Sequence, residues 1–470
     1  MRLIPIYSWN KGVRNFNLRR KSLAQLPFTQ GVLLLVCVIV AMLLANLPFT
    51  KDLYKEFLET AVTAHVISPD GGINFMFPRG LTVEAFINDI LMVVFFFTVG
   101  LEIRREVSRG ELSSVKKAIL PVIAAFGGVI APALIYTIVN HGTYAAGGWG
   151  IPTATDIAFA VCILTVLGDK VPVSLKVFLT ALAIADDLIA ILVVAIFYGG
   201  NINLPLLGVA FLVIALVFIL NKLGEKHLSI YLMLAVVVWG LFYYSGIHST
   251  MSGVVMALLI PSKPRYTMAY FDRKHRQYSR RLKEYQHIAD DEPHPNGPQR
   301  HCLRRLSAIS EGAVPMTDMV EHKLSPWVNF LIMPIFALAN AGVEISDLSY
   351  FNIFHFDQTM GAVGLGIFLG LVLGKPIGIT LFSYISIKSK IAAMPDKATW
   401  PMFFAVACLG GIGFTMSIFV DSLSFGGFDP EVTSHMRDAG KIAVLLGSIA
   451  AGVLGVICVN IVSSFKKNKA

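Results

Sequence analysis

The chain has 470 residues, of which 55% are hydrophobic and only 15% charged, and its mean hydropathy is +0.67. That composition excludes an ordinary soluble globular protein and identifies a polytopic membrane protein. The net charge of +9 calls for no nucleic-acid partner, because an anionic leaflet is the usual cause of a basic balance in such a chain.

In chain order, residues 1–28 are basic and resemble a secretory n-region, but the apolar run after them lacks a small-residue cleavage pattern. The first helix is therefore read as uncleaved. Apolar stretches of about 17–25 residues, the length that crosses a bilayer, predict an all-α polytopic fold with about twelve transmembrane helices. They lie near 29–47, 84–103, 118–138, 150–167, 174–197, 204–221, 228–244, 247–260, 326–342, 360–386, 401–420 and 437–463, the eighth being short.

Residues 29–260 thus carry helices one to eight, 261–325 form a cytoplasmic basic insertion, 326–463 carry helices nine to twelve, and 464–470 form a cytoplasmic tail. In the external loop 48–83, Ser68-Pro69-Asp70-Gly71-Gly72 supplies the turn that a β-hairpin needs, though an irregular loop suits it equally. The insertion contains DEPHPNGPQRH (291–301), a polar composition that predicts a mobile segment with little core of its own.

Lys176, Arg437 and Lys441 stand at span ends and are counted with the adjoining segments. The alternate segments that include both termini then hold 33 Lys and Arg, the others hold 5, and Lys375 alone lies deep in a span. Basic residues mark the cytoplasmic side, so both termini are expected to face inward. The five cysteines are odd in number and four of them fall in apolar spans, which implies no disulfide framework, and no metal-ligand spacing is present.

Spans four and eleven share an anomaly. Pro152-Thr153-Ala154-Thr155-Asp156 makes a poor helix interior, and Gly410-Gly411-Ile412-Gly413 raises backbone entropy within an apolar run. A glycine cluster taken alone more often means close helix packing. The two spans are separated by an odd step in the topology, however, and so run in opposite directions. Spans three to five and ten to twelve become candidate inverted repeats with two discontinuous crossing helices, and paired interruptions of this kind point to a transporter site near the midplane. Facing half-helix ends carry partial charges of both signs. Asp156 is placed to balance the positive ends, and a cation could serve the carbonyl ends.

Asp186 and Asp187 stand in the middle of span five. An ionised carboxylate at that depth costs about 2.5–3.5 kcal/mol on the insertion scale, so two in a row need a reason. Adjacent helical residues point about 100° apart, so one aspartate can meet Lys375 while the other faces a water-filled cavity. A purely structural cluster of these four charges is the competing reading, and such a cluster compares poorly with apolar packing.

The chain resembles the NhaA-type bacterial sodium/proton antiporters in motifs that stand in order along nearly its whole length. They are FINDILMVVFFFTVGLEIRRE (86–106), ATDIAFA (154–160), ALAIADDLIAI (181–191), GIHSTMSGV (246–254), PWVNFLIMPIFALANAGV (326–343), GKPIGI (374–379) and GGIGFTMSIF (410–419). NhaA is one of the folds on which the inverted-repeat rule rests, so repeats and resemblance are not independent observations. The resemblance implies that Asp187 is the main sodium carboxylate, Asp186 the partner of Lys375, Thr155 a helper near the ion, and Asp156 the balancing charge at the helix crossing. It places Glu102, Glu106, His248 and Glu321 at positions associated with pH response, although His248 alone reads as an ordinary interfacial histidine and Glu102 and Glu106 as interfacial charges. Asp89 matches too, as a polar contact.

The resemblance further implies electrogenic, pH-regulated exchange of cytoplasmic sodium or lithium for external protons across the bacterial inner membrane, by a homodimer that needs no cofactor. Proton and sodium would be alternative ligands of one carboxylate site, with the second proton coming from Lys375 or from Asp186. The segments 48–83 and 261–325 look longer than in the best-known members. Enzymatic readings fit poorly: Asp186-Asp187 is followed by Leu188-Ile189-Ala190 and not by a second acid as in DDxxD, and a GxGD-type protease context is absent. A sodium-coupled symporter of an organic solute is the alternative, and would need a larger cavity with groups for the solute.

Overall fold

The computed structural model describes residues 27–61, 64–66, 73–75, 82–199, 202–286, 295–345, 361–426 and 429–467. Most of residues 1–28, the 68–72 turn, part of the 291–301 stretch and the last residues of the tail lie outside these. Lipid offers no hydrogen bonds to a backbone, so long apolar runs must close their bonds internally, which they do here as helices.

The helices that open the chain are α1 (Pro27–Asn46), the short α2 (Lys51–Glu59), α3 (Val83–Arg109) and α4 (Val115–Val139). A 3₁₀ segment, Tyr144–Thr153, leads to α5 (Ile157–Leu167), followed by α6 (Val173–Phe197), α7 (Leu204–Leu223), α8 (Leu228–Ser245) and α9 (Met251–Leu259). The insertion contributes α10 (Met268–Gln286) and α11 (Gly297–Ala313). Then come α12 (Met316–Trp327), a π turn Val328–Ile332, α13 (Met333–Asn340), α14 (Val363–Lys388), α15 (Trp400–Leu409), α16 (Phe414–Ser424) and α17 (Pro430–Lys467).

Among the described residues, 8 helices are long and apolar enough to cross a membrane, and two bent pairs raise the number to 10. The bent pairs are the expected spans four and eleven: Tyr144–Thr153 meets Ile157–Lys170 at 41°, and Trp400–Leu409 meets Phe414–Ser424 at 53°. The eighth expected span is helical only over Met251–Leu259, and the ninth, expected at 326–342, runs from the last residues of α12 through the π turn into α13.

Two compact units divide the chain. The first comprises residues 1–92, 114–198 and 329–470 and holds both bent pairs with α4, α6, α14 and α17. Its α4 and α14, the opening helices of the two repeats, touch backbone to backbone: a Cβ on Gly127 would lie 2.3 Å from the Gly378 carbonyl oxygen, and one on Gly378 would lie 2.1 Å from that of Gly127. Small residues permit that approach, and it brings Lys375, which follows a π turn at Gly370–Gly374, deep into the unit.

The second unit comprises residues 93–113 and 199–328, with a core that includes Phe97, Leu101, Tyr231, Phe242, Met256 and Val320. Only 11% of the apolar window of α7 is buried within the protein, which is how a helix apolar on all sides meets lipid.

Two local features depart from or refine the sequence reading. The insertion holds a packed pair of helices, α10 and α11, where composition predicts little core. Asn296 and Gln299 form a capping box that starts α11, and Cys302 and Ile309 are buried. In the loop 48–83, Ala64–Val66 pairs antiparallel with Ile73–Phe75 in the register Ala64↔Phe75, His65↔Asn74, Val66↔Ile73, while the expected turn at 68–72 lies outside the described residues.

Candidate functional site

The two interruptions meet inside the first unit, and each satisfies the other's open backbone groups. The Gly410 carbonyl at the end of α15 lies 2.9 Å from Thr155 Oγ1, and the Ile412 carbonyl accepts the Asp156 N–H at 2.6 Å. In return, Ser417 Oγ donates to the Ile151 carbonyl at 2.7 Å.

Asp156 serves two helix starts at once. Its Oδ1 accepts from Phe159 N–H at 3.3 Å, capping α5. Its Oδ2 accepts from the Thr415 N–H at 3.2 Å and hydroxyl at 2.5 Å at the start of α16. An anion placed there meets the partial positive charge of two half-helices and takes up donors those ends would otherwise leave open.

Asp186, on α6, meets Lys375, on α14. Lys375 Nζ donates to Asp186 Oδ2 and to Thr155 Oγ1, the latter at 2.5 Å, and Thr155 Oγ1 is also 2.5 Å from Asp186 Oδ2. The single hydroxyl proton of Thr155 serves Asp186 or the Gly410 carbonyl, one at a time. Lys375 is fully buried, and Thr155, Asp156, Asp186 and Asp187 are each only 2% exposed.

Asp187, the next residue on α6, acts on Lys375 electrostatically and leaves the helix about 100° round from Asp186. At 2% exposure it faces no open water-filled cavity, unlike the expectation from sequence. This conformation closes the carboxylates in, and a dry site of this kind magnifies every charge within it.

The remaining expected residues lie in the second unit. Arg105 on α3 forms an ion pair with Glu321 on α12, and lies 3.4 Å from Glu106 and 3.8 Å from Glu102. Beside it, Arg109 pairs with Asp318 at 2.9 Å. Glu321 stands ahead of the ninth span, and burial pushes its carboxyl up to about 7; Arg105 opposes that rise, while Glu102, Asp318 and Glu106 add to it. His248 lies in the turn between α8 and α9.

Sequence reasoning did not single out Thr415, Ser417 or Ser448, whose hydroxyl donates nothing in this contact but accepts the Phe414 N–H at 3.1 Å. A signal is present for the first two: both are hydroxyl residues in the first turn after the glycine break, where exposed helix ends need partners. Asn88 and Asn340 were also missed, and they exchange amide hydrogen bonds at 3.0 and 2.8 Å.

Over residues 21–459 the chain matches the family described as Na+/H+ antiporter 1. It is 40% identical over 443 residues to the Na(+)/H(+) antiporter NhaA of Wolinella succinogenes, covering 93% of this chain and 92% of that one. With the Na(+)/H(+) antiporter NhaA of Escherichia coli strain K12 the identity is 38% over 426 residues, 90% and 93% of the two chains.

Proposed function

The chain belongs to the NhaA family of sodium/proton antiporters, and on that premise we propose that Asp187 and Asp186 are the groups at which its exchange of Na⁺ for H⁺ takes place. The protein is a multi-pass membrane transporter and not an enzyme, and the transported ions are its substrates; a solute symporter has no support in these relatives.

The observation that carries the assignment is the buried triangle of Lys375, Asp186 and Thr155 at the crossing of two broken helices, with Asp187 next to it. Asp187 holds the cation. A carboxylate closed off from water cannot stay bare, so it takes a proton or a sodium ion, and each excludes the other because both neutralise the same charge. That exclusion couples the two fluxes. Thr155 and the carbonyl ends of the half-helices supply neutral oxygens near the ion, while Asp156 fixes the two positive ends in place.

When sodium arrives, Asp186 loosens its hold on Lys375, and the second proton leaves from Lys375 or from Asp186; the paired acids titrate together. The carrier changes its facing only when loaded, by movement of the helices that bear the breaks. Sodium, or lithium, leaves the cytoplasm and protons enter across the bacterial inner membrane, with both termini cytoplasmic and net charge moved in each cycle. Glu102, Glu106 and Glu321, with His248, make up the pH response. The 64–66/73–75 hairpin carries an open strand edge suited to a second copy in a homodimer.

The test is proton flux in reconstituted vesicles after pulses of sodium, lithium or potassium across a range of pH. Sodium and lithium should discharge an imposed proton gradient, and Asp187→Asn should not respond to either. A normal response from that variant overturns the assignment.

A further inference from the structure

Asp156 and Asp186 accept hydrogen bonds at the crossing, whereas a further buried carboxylate, on α16, accepts none from the described residues. Asp421 lies on α16 six residues beyond Thr415, about 9 Å along the axis at 1.5 Å per residue, and is fully buried. Neither of its oxygens accepts a hydrogen bond from any described residue. Its Oδ1 occupies the space that a side chain at position 440 would fill: a Cβ on Gly440 of α17 would stand 2.0 Å from it.

Charged and titratable groups reach Asp421 from three other helices. Lys441, Arg437 and Asp438 do so from α17, Tyr136 from α4, and Tyr198 from the end of α6. The tyrosine hydroxyls are already committed to the 3₁₀ segment. Tyr136 donates to the Ala145 carbonyl at 2.9 Å, and Tyr198 donates to that of Gly147 at 2.9 Å while accepting from Gly150 N–H at 3.0 Å. An ionised carboxylate with no donor is strongly disfavoured in such surroundings. A metal cation is a poor remedy, because Lys441 and Arg437 already place positive charge nearby. The ligand that fits is a proton.

We propose that Asp421 is a second proton-binding site of this transporter, separate from the aspartate pair. It holds its proton on α16, the half-helix whose start Asp156 caps. Its proton is not exchanged for sodium, but gaining or losing it changes the charge of an element that has to move.

Infrared difference spectra between acid and alkaline pH, recorded on the full-length protein in lipid without sodium, test this directly. The wild type should show a carbonyl band of a protonated carboxylic acid that Asp421→Asn removes and Asp187→Asn leaves in place. Sodium should not displace that band. In vesicles, Asp421→Asn should keep its sodium KM within about twofold and shift the pH profile of exchange.

Asp421→Asn spectra that superimpose on the wild type overturn the proposal, as does a sodium KM raised about tenfold, which would make Asp421 part of the ion site. Should that variant fail to fold, Lys441→Gln decides at a partly exposed position. With one cation fewer the band should persist to higher pH, and an unchanged midpoint counts against the site.

Discussion

Asp186 and Glu321 each face one cation, yet their surroundings differ. The side chains of Lys375 and Asp186 are 0% and 3% exposed, whereas those of Arg105 and Glu321 are 38% and 11% exposed. Without water, the first pair is held by geometry alone: remove either member and the other is a bare charge in a low dielectric. The second pair keeps contact with solvent through the arginine, so its acid can change charge near neutral pH at modest cost. On the function proposed above, the same ion-pair chemistry serves a ligand site in one unit and a graded pH response in the other, and exposure is what separates the two pairs.

That contrast can be broken most severely at Asp187. Under the proposed assignment Asp187→Asn removes the charge for which both ions compete, so sodium-driven proton movement in vesicles should fall to background. Retained exchange would mean that the dry site is not obligatory.

Lys375→Ala comes next, because it strands Asp186 in the interior. Loss of one member of a buried pair costs about 3–5 kcal/mol, so the thermal unfolding midpoint in detergent should drop clearly whether or not exchange survives in the remaining fold. An unchanged midpoint would show that the pair is not held as described. Thr415→Val is the milder version of the same experiment. It deletes the hydroxyl bond to Asp156 but keeps the backbone one, and a charged hydrogen bond is worth about 1.5–3 kcal/mol, so its midpoint should fall less than that of Lys375→Ala.

The smallest effect is expected at Glu321, and it should appear as a change in pH dependence. Its carboxyl is held above the ordinary value of 4.5, at about 7, so the proton favours the folded form. That stabilisation is complete below about 4.5 and is lost as pH rises through about 7. Glu321→Gln should flatten the unfolding midpoint against pH in this window and blunt the exchange profile near neutrality. A wild-type profile from the variant would remove Glu321 from the pH response.

Much of the site was legible in advance because membranes make polar residues conspicuous. Asp186, Asp187 and Lys375 stood out as charges in apolar runs, and the Pro-Thr and Gly-Gly interruptions gave away both breaks before any coordinate was known. Asp421 obeys the same rule but is less conspicuous, because the apolar run of the eleventh span ends at residue 420 and the acid stands one position beyond it. Thr415 was hidden differently, since a threonine in a helix is unremarkable until its neighbour is seen to be a carboxylate from another span.

Composition, spacing and the distribution of Lys and Arg determined the membrane class, the positions of the helices and the two interruptions, because each depends on residues close together in the chain and on the solvent around them. Which aspartate meets Lys375, what Asp156 caps, and that Asp187 is closed off from water were decided by tertiary structure. Those contacts join residues as far apart as 156 and 415, and Lys375 is carried by the helix whose Gly378 touches the backbone at Gly127.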